Sequence, residues 1–134
     1  MVFQWRSWDH FKFEESKADL TGDRVNPVHG NSFELDHDGN LIISSRRMDE
    51  ITKIDRQTGE IIWRLGGKAN EFTFINDPEP FFSQHDARRL ANGNITIFDN
   101  HTGPGSTYAR AVEPLHFRQA SRFLLPMLWA QRVV

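Results

Sequence analysis

Between residues 28 and 65 the apolar positions recur in short runs divided by turn residues, and helical spacing is poor throughout. Four strands are predicted there. VHGNSFELD is followed by the turn HDGN, LIISSR by RMDE and ITKID by RQTG, and EIIWRL closes the series. Asp38-Gly39-Asn40 is a strong hairpin signal, because Gly and Asn tolerate positive φ. Leu41-Ile42-Ile43 is continuously apolar, as in a strand buried on both faces. Thr52-Lys53-Ile54-Asp55 alternates, as a half-buried strand does. Gln57-Thr58-Gly59 turns the chain into EIIWRL.

The pattern then recurs. SQHDARRLANGNITIFDN follows the logic of VHGNSFELDHDGNLIISSR: an early His, a Gly-Asn turn, then an apolar strand with a polar end. Phe3-Gln4-Trp5-Arg6 is echoed by Ile61-Ile62-Trp63-Arg64. Four strands in a unit of roughly 40–55 residues are the signature of a β-propeller. On this register residues 2–6 end one blade, residues 28–65 form a whole blade, and residues 82–113 supply the first two or three strands of the next. The expected fold class is all-β, a partial β-propeller of four-stranded antiparallel blades. A closed ring needs ~4–8 blades, so the chain reads as a fragment. A small self-contained β-sandwich is the competing reading.

Residues 114–134 stand apart from this pattern. All 18 acidic residues lie at or before Glu113, and the segment carries three Arg and no acid. Pro114 and Pro126 interrupt any continuous element. The expected organisation is a partial propeller over 1–113 and a tail over 114–134 outside the repeat. The apolar run Phe123–Ala130 falls short of the ~20 residues that span a bilayer.

Composition narrows the function classes. Sixteen basic and 18 acidic side chains give a net charge of −2, which offers no basic face for nucleic acid. The chain has no Cys, which excludes disulfides, thiolate metal sites and thiol catalysis. MVFQWRSWDH shows no basic stretch leading into an apolar one, so no signal peptide is read there and the compartment stays open. No membrane span is expected.

Two His stand out, His29 in HGNS and His85 in QHDAR. Each begins a strand after a loop, at equivalent positions of the repeat. Innermost propeller strands line the central channel, so equivalent positions converge on one axial pocket. Asn31, Arg46 and Arg88 travel with the pair. Arg beside the ligands repels a cation, and Zn sites want about three protein ligands, so no metal is expected. Arg and Asn donors suit a tetrahedral anion such as phosphate or sulfate. A neutral His then serves as nucleophile or base. The competing reading is a pair of satisfied polar strand residues. His37 is expected in a solvent-facing turn, His10 at a loop edge and His101 near the channel mouth; His116, in the tail, is given no role.

FQWRSWDH, HGNSFELDHDGNLIISSR, ITKIDRQTGEIIWRLGG and QHDARRLANGNITIFDN together resemble the arylsulfotransferase (ASST-like) family over roughly residues 2–113. The resemblance implies a propeller of about six blades. It also implies transfer of a sulfuryl group from an aryl sulfate donor to a phenolic acceptor through a sulfated His, with no cofactor. His85 then matches the nucleophile, His29 and Asn31 the contacts to sulfuryl oxygens, and Arg46 the charge-neutralising cation. A partial ring is expected to be inactive by itself and to self-associate through exposed sheet edges. TGEIIW also resembles the docking element of quinoprotein propellers, in which Trp63 would anchor a scaffold or binding module. A quinoprotein requires a Ca²⁺ site of carboxylate and amide oxygens, where this chain offers His, Asn and Arg.

Overall fold

The computed structural model describes residues 3–74, 80–102, 105 and 108–113, and the backbone of 117–119. Among these the fold is all-β, with three short 3-10 turns and no α-helix. Strands β1 (Gly30–Leu35), β2 (Leu41–Ser45), β3 (Glu50–Ile54) and β4 (Ile61–Gly66) form a four-stranded antiparallel meander. β5 (Phe72–Phe74) follows, and then β6 (His85–Arg89), β7 (Ile95–Asp99) and β8 (Arg110–Val112) form a three-stranded antiparallel sheet. This architecture is consistent with one propeller blade and the opening strands of its neighbour.

The turns form where the sequence provides for them. Gly39 (φ 82) and Gly93 (φ 89) take the left-handed conformation that the two hairpins require. Asp36 N donates to Asn40 O, and Leu90 N to Asn94 O, at 2.8 Å in both cases.

The two sheets pack face to face. Ile42, Ile51 and Leu65 of the first meet Phe81, Ala87, Ile95 and Ile97 of the second, with Trp63, Phe72, Phe74 and Val112 at the margin. Burial of these side chains supplies the main stabilisation, at about 25 cal/mol per Å² of apolar surface. Polar links then set β1 beside β6. Asn31 Nδ2 donates to Gln84 O (2.8 Å), Ala87 N to Ser32 Oγ (3.0 Å), Arg88 Nη1 to Glu34 Oε2 (2.9 Å) and Arg89 Nε to Asp36 Oδ1 (2.8 Å). The numbers rise together along both strands, so β1 and β6 run side by side in the same direction.

Three features depart from the sequence reading. Residues 3–6 are not a strand: the chain there is irregular, and the Trp5 indole donates to Gly59 O at 3.0 Å and stacks on His10. β3 is buried at all five positions instead of on one face. Its polar face carries Glu50 and Thr52, and the N-terminal segment covers it. Arg64 joins Glu50 to Glu15 there, with Phe11 stacked on its guanidinium 4.9 Å away. On the other face Lys53 enters the interior because Asp36 and Asp38 each accept from its ammonium at 2.6 Å. Finally, β5 pairs antiparallel with a strand β9 (Phe117–Gln119), placing part of the segment after Glu113 in a sheet. The rest of the 114–134 segment, with His116, lies outside the described residues.

Candidate functional site

His29 is the residue just before β1, and His85 is the first residue of β6. Because β1 and β6 lie side by side, the two imidazoles meet. Their centroids are 6.3 Å apart and the rings are nearly perpendicular. Both residues are half-buried. Each strand carries a bulge directly after its His, between Gly30 and Ser32 in β1 and between His85 and Arg88 in β6. Bulges re-aim side chains and are over-represented next to active sites.

Backbone strain gathers at the same place. His29 (φ 51), Asp49 (φ 51), Ser83 (φ 53), Asp86 (φ 54) and His101 (φ 47) all occupy the left-handed region. Each such residue costs about 1–3 kcal/mol and persists only where its surroundings over-determine it. For Ser83 those surroundings are visible. Its N–H donates to Asp49 Oδ1 at 2.5 Å, its hydroxyl accepts from Lys17 Nζ at 2.8 Å, and it pairs with Thr102 Oγ1 at 2.5 Å. Gln84, fully buried, donates to Ser44 Oγ (3.1 Å) and to Glu50 O (2.8 Å), which ties the residue before His85 to the first sheet.

Arg46 opens the 3-10 turn after β2, and its N–H donates to His29 O at 3.0 Å. No hydrogen-bond or carboxylate partner meets its guanidinium, or that of Arg47, among the described residues. The neighbouring Asp49 carboxylate is engaged by Lys17 and Ser83 instead. His29 therefore sits in uncompensated positive potential. Burial pushes its imidazole below the ordinary value of 6.5, and the charges of Arg46, Arg47 and His85 push it further. Asn31 is brought to the same seam, with one amide hydrogen on Gln84 O and its Oδ1 buried without a partner. Arg88 is engaged elsewhere. Its guanidinium donates to Asp86 Oδ1 (2.7 Å) and Glu34 Oε2 (2.9 Å), so its charge is already matched.

Of the remaining His, His37 is exposed as expected and His10 stacks on Trp5. His101 is buried, 3.1 Å from Asp99 Oδ2 and stacked on Tyr108. Sequence reasoning missed Arg47 and Asn100. Asn100 Nδ2 lies 2.8 Å from His85 Nδ1 and 2.7 Å from Ser83 O. Arg47 was legible only as the second Arg of SSRR. Asn100 gave no signal beyond its place in FDN.

The structure thus brings the His29 and His85 rings together at adjacent strand ends of an all-β scaffold, with the charges of Arg46 and Arg47 acting on His29. The arylsulfotransferase (ASST) family model matches residues 1–132, and the chain belongs to that family. The match takes in most of the segment after Glu113. No curated protein and no solved structure matches the chain. At the level of the family the activity is arylsulfotransferase-like, with aryl sulfates as donors and phenols as acceptors. The family match favours this over the quinoprotein-like scaffold. Trp63, the proposed anchor of that alternative, packs edge-on against Phe72 at the margin of the core.

Proposed function

We propose that this chain carries the sulfuryl-binding corner of an arylsulfotransferase, with His85 as the group that accepts the sulfuryl. The observation that carries the reading is the meeting of the His29 and His85 rings beside the unpaired Arg46. Sulfuryl transfer, like phosphoryl transfer, depends on alignment and on stabilising spread negative charge. Arg46 and Arg47 supply that charge. His29 and the second amide hydrogen of Asn31 donate to sulfuryl oxygens. Arg88 enters only indirectly, by holding β6 to β1 through Glu34.

The step balances without a cofactor. An imidazole nitrogen of His85 forms an N–S bond to the aryl sulfate as the S–O(aryl) bond breaks, and the phenolate departs. The oxygen of a phenol acceptor then bonds to sulfur as the N–S bond breaks, its hydroxyl proton passing to the departed phenolate or to water, and His85 is restored. With no phenol added as acceptor the reaction halts at the sulfated His, so we expect one sulfuryl equivalent per chain from the donor alone.

The test is the burst of p-nitrophenolate from p-nitrophenyl sulfate. The expected result is a burst of at most one equivalent, abolished in His85→Ala. In Arg46→Ala it should be slower by about 10²–10³-fold, the scale for losing one charge-stabilising donor. A burst that persists in His85→Ala overturns the assignment.

A further inference from the structure

Two carboxylates grip the loop before His85, one from each side of the seam. Asp99, the last residue of β7, accepts from Phe82 N at 2.8 Å. Asp49, between β2 and β3, accepts from the next amide, Ser83 N, at 2.5 Å. Asp49 also ends the 3-10 turn Arg46–Met48, and its own N–H donates to Arg46 O at 3.3 Å. One residue thus joins the turn that carries Arg46 to the loop that leads into His85. We propose that Asp49 is a positioning residue for the sulfuryl site: its carboxylate holds Ser83 N–H and so sets His85 against His29 and Arg46. The inference rests on the sulfuryl-transfer reading above and deepens it.

The local backbone aims the carboxylate. Asp49 has φ 51, a left-handed conformation that Asp and Asn tolerate better than most residues. The turn is packed closely from behind. A Cβ on Gly66 would meet Asp49 O, and one on Gly67 would meet Met48 O, each at 2.5 Å. The end of β4 therefore lies directly against residues 48 and 49. At the other end of the bond Ser83 is 1% exposed and also left-handed, with φ 53. A buried N–H left unpaired is costly, and a charged acceptor makes the stronger bond. Among the described residues the Asp49 carboxylate pairs with Lys17, not with Arg46 or Arg47. Lys17 Nζ also donates to Ser83 Oγ at 2.8 Å, so the N-terminal segment supports the same contact.

A movement of Ser83 reaches the imidazole directly, because Ser83 O lies 3.0 Å from His85 Nδ1. Other ties limit how far the loop can go. Ser32, Glu34 and Asp36 hold Ala87, Arg88 and Arg89, all past His85. Asn31 Nδ2 donates to Gln84 O, and Gln84 Nε2 donates to Glu50 O, both at 2.8 Å. Removing the Asp49 carboxylate therefore displaces the loop without releasing it. A misplacement on the order of 1 Å costs up to about 10²-fold in rate. With those ties in place the expectation is about 10-fold.

The experiment uses the full chain, two variants and two readouts. Asp49→Gly keeps the left-handed φ at no steric cost and removes the acceptor. Asp49→Asn keeps both the φ and an acceptor oxygen. The first readout is the NOE cross-peak between the ring protons of His29 and His85. It should be present in the wild type, several-fold weaker in Asp49→Gly and restored in Asp49→Asn. The second is the p-nitrophenolate burst rate, which should fall about 10-fold in Asp49→Gly and recover in Asp49→Asn. An unchanged cross-peak in Asp49→Gly overturns the assignment. Its loss in Asp49→Asn does the same, which keeps the test decisive where Asp49→Gly does not fold. A wild type that shows the cross-peak but no burst leaves the link from Asp49 to the His pair standing and overturns the sulfuryl-transfer reading instead.

Discussion

Replacing Asp36 by Asn removes the strongest polar tie between β1 and β6. Asp36 is 5% exposed and follows β1. Its carboxylate accepts from Arg89 Nε and Nη2, both at 2.8 Å, and from Lys53 Nζ at 2.6 Å. Burial alone would raise its carboxyl. The hydrogen bonds from Arg89 and Lys53 outweigh it and hold the group down from 3.8 to about 2. At about 1.4 kcal/mol per unit that depression is worth about 2 kcal/mol of stability at neutral pH. The Asn variant also leaves Arg89 without its carboxylate, and breaking a buried pair costs about 3–5 kcal/mol. Lys53 keeps Asp38, so the expected loss lies at the lower end, about 2–4 kcal/mol. That corresponds to a fall in Tm on the order of 10 °C. A carboxyl depressed in the folded state stabilises above its unfolded value and loses that contribution as pH falls through the folded one. The gap between wild type and Asp36→Asn should therefore close as pH drops from about 4 to 2. Urea unfolding followed by Trp fluorescence across that range is the assay. Equal stability at pH 7, or a gap that persists at pH 2, would refute the reasoning.

Other outcomes follow from the same geometry. Gly66→Ala should cost about 3 kcal/mol in thermal unfolding, since φ is +82 and a Cβ would meet Asp49 O and Phe81 Cζ, each at 2.5 Å. The His29 imidazole is depressed below 6.5, so its protonation opposes folding as pH falls below that value. Sulfate should relieve this and raise Tm more at pH 6 than at pH 8, and Arg46→Ala should remove most of that difference. Phe33 and Leu35 of β1 and Phe98 of β7 are 59%, 55% and 46% exposed. Size-exclusion chromatography should show concentration-dependent association that Phe33→Ser with Leu35→Ser weakens.

The strands were legible because their punctuation is local. Asp38-Gly39-Asn40 and Asn92-Gly93-Asn94 mark the hairpins, and the short apolar runs between turn residues place β1 to β4, β6 and β7 close to their observed limits. The meeting of His29 and His85 was legible through the repeat. What escaped the sequence depends on long-range partners. Nothing near Trp5 tells that its indole will cap Gly59 instead of lying in a strand. Nothing in ITKID tells that Glu15 and Arg64 will cover the polar face of β3. The β5–β9 pair joins segments whose compositions differ, and composition had set them apart. The approach of Asn100 to Ser83 and His85 became visible only once those residues were in place, because it is a distance and not a motif.

The central claim is that His85 takes the sulfuryl group, and mass spectrometry tests it most directly. The full chain is incubated with phenyl sulfate, quenched in base and digested. The account predicts one sulfuryl group on the peptide containing His85, localised to that side chain by fragmentation and absent from His85→Ala. A sulfuryl group on any other residue, or an unmodified His85 in a chain that binds phenyl sulfate, would contradict it.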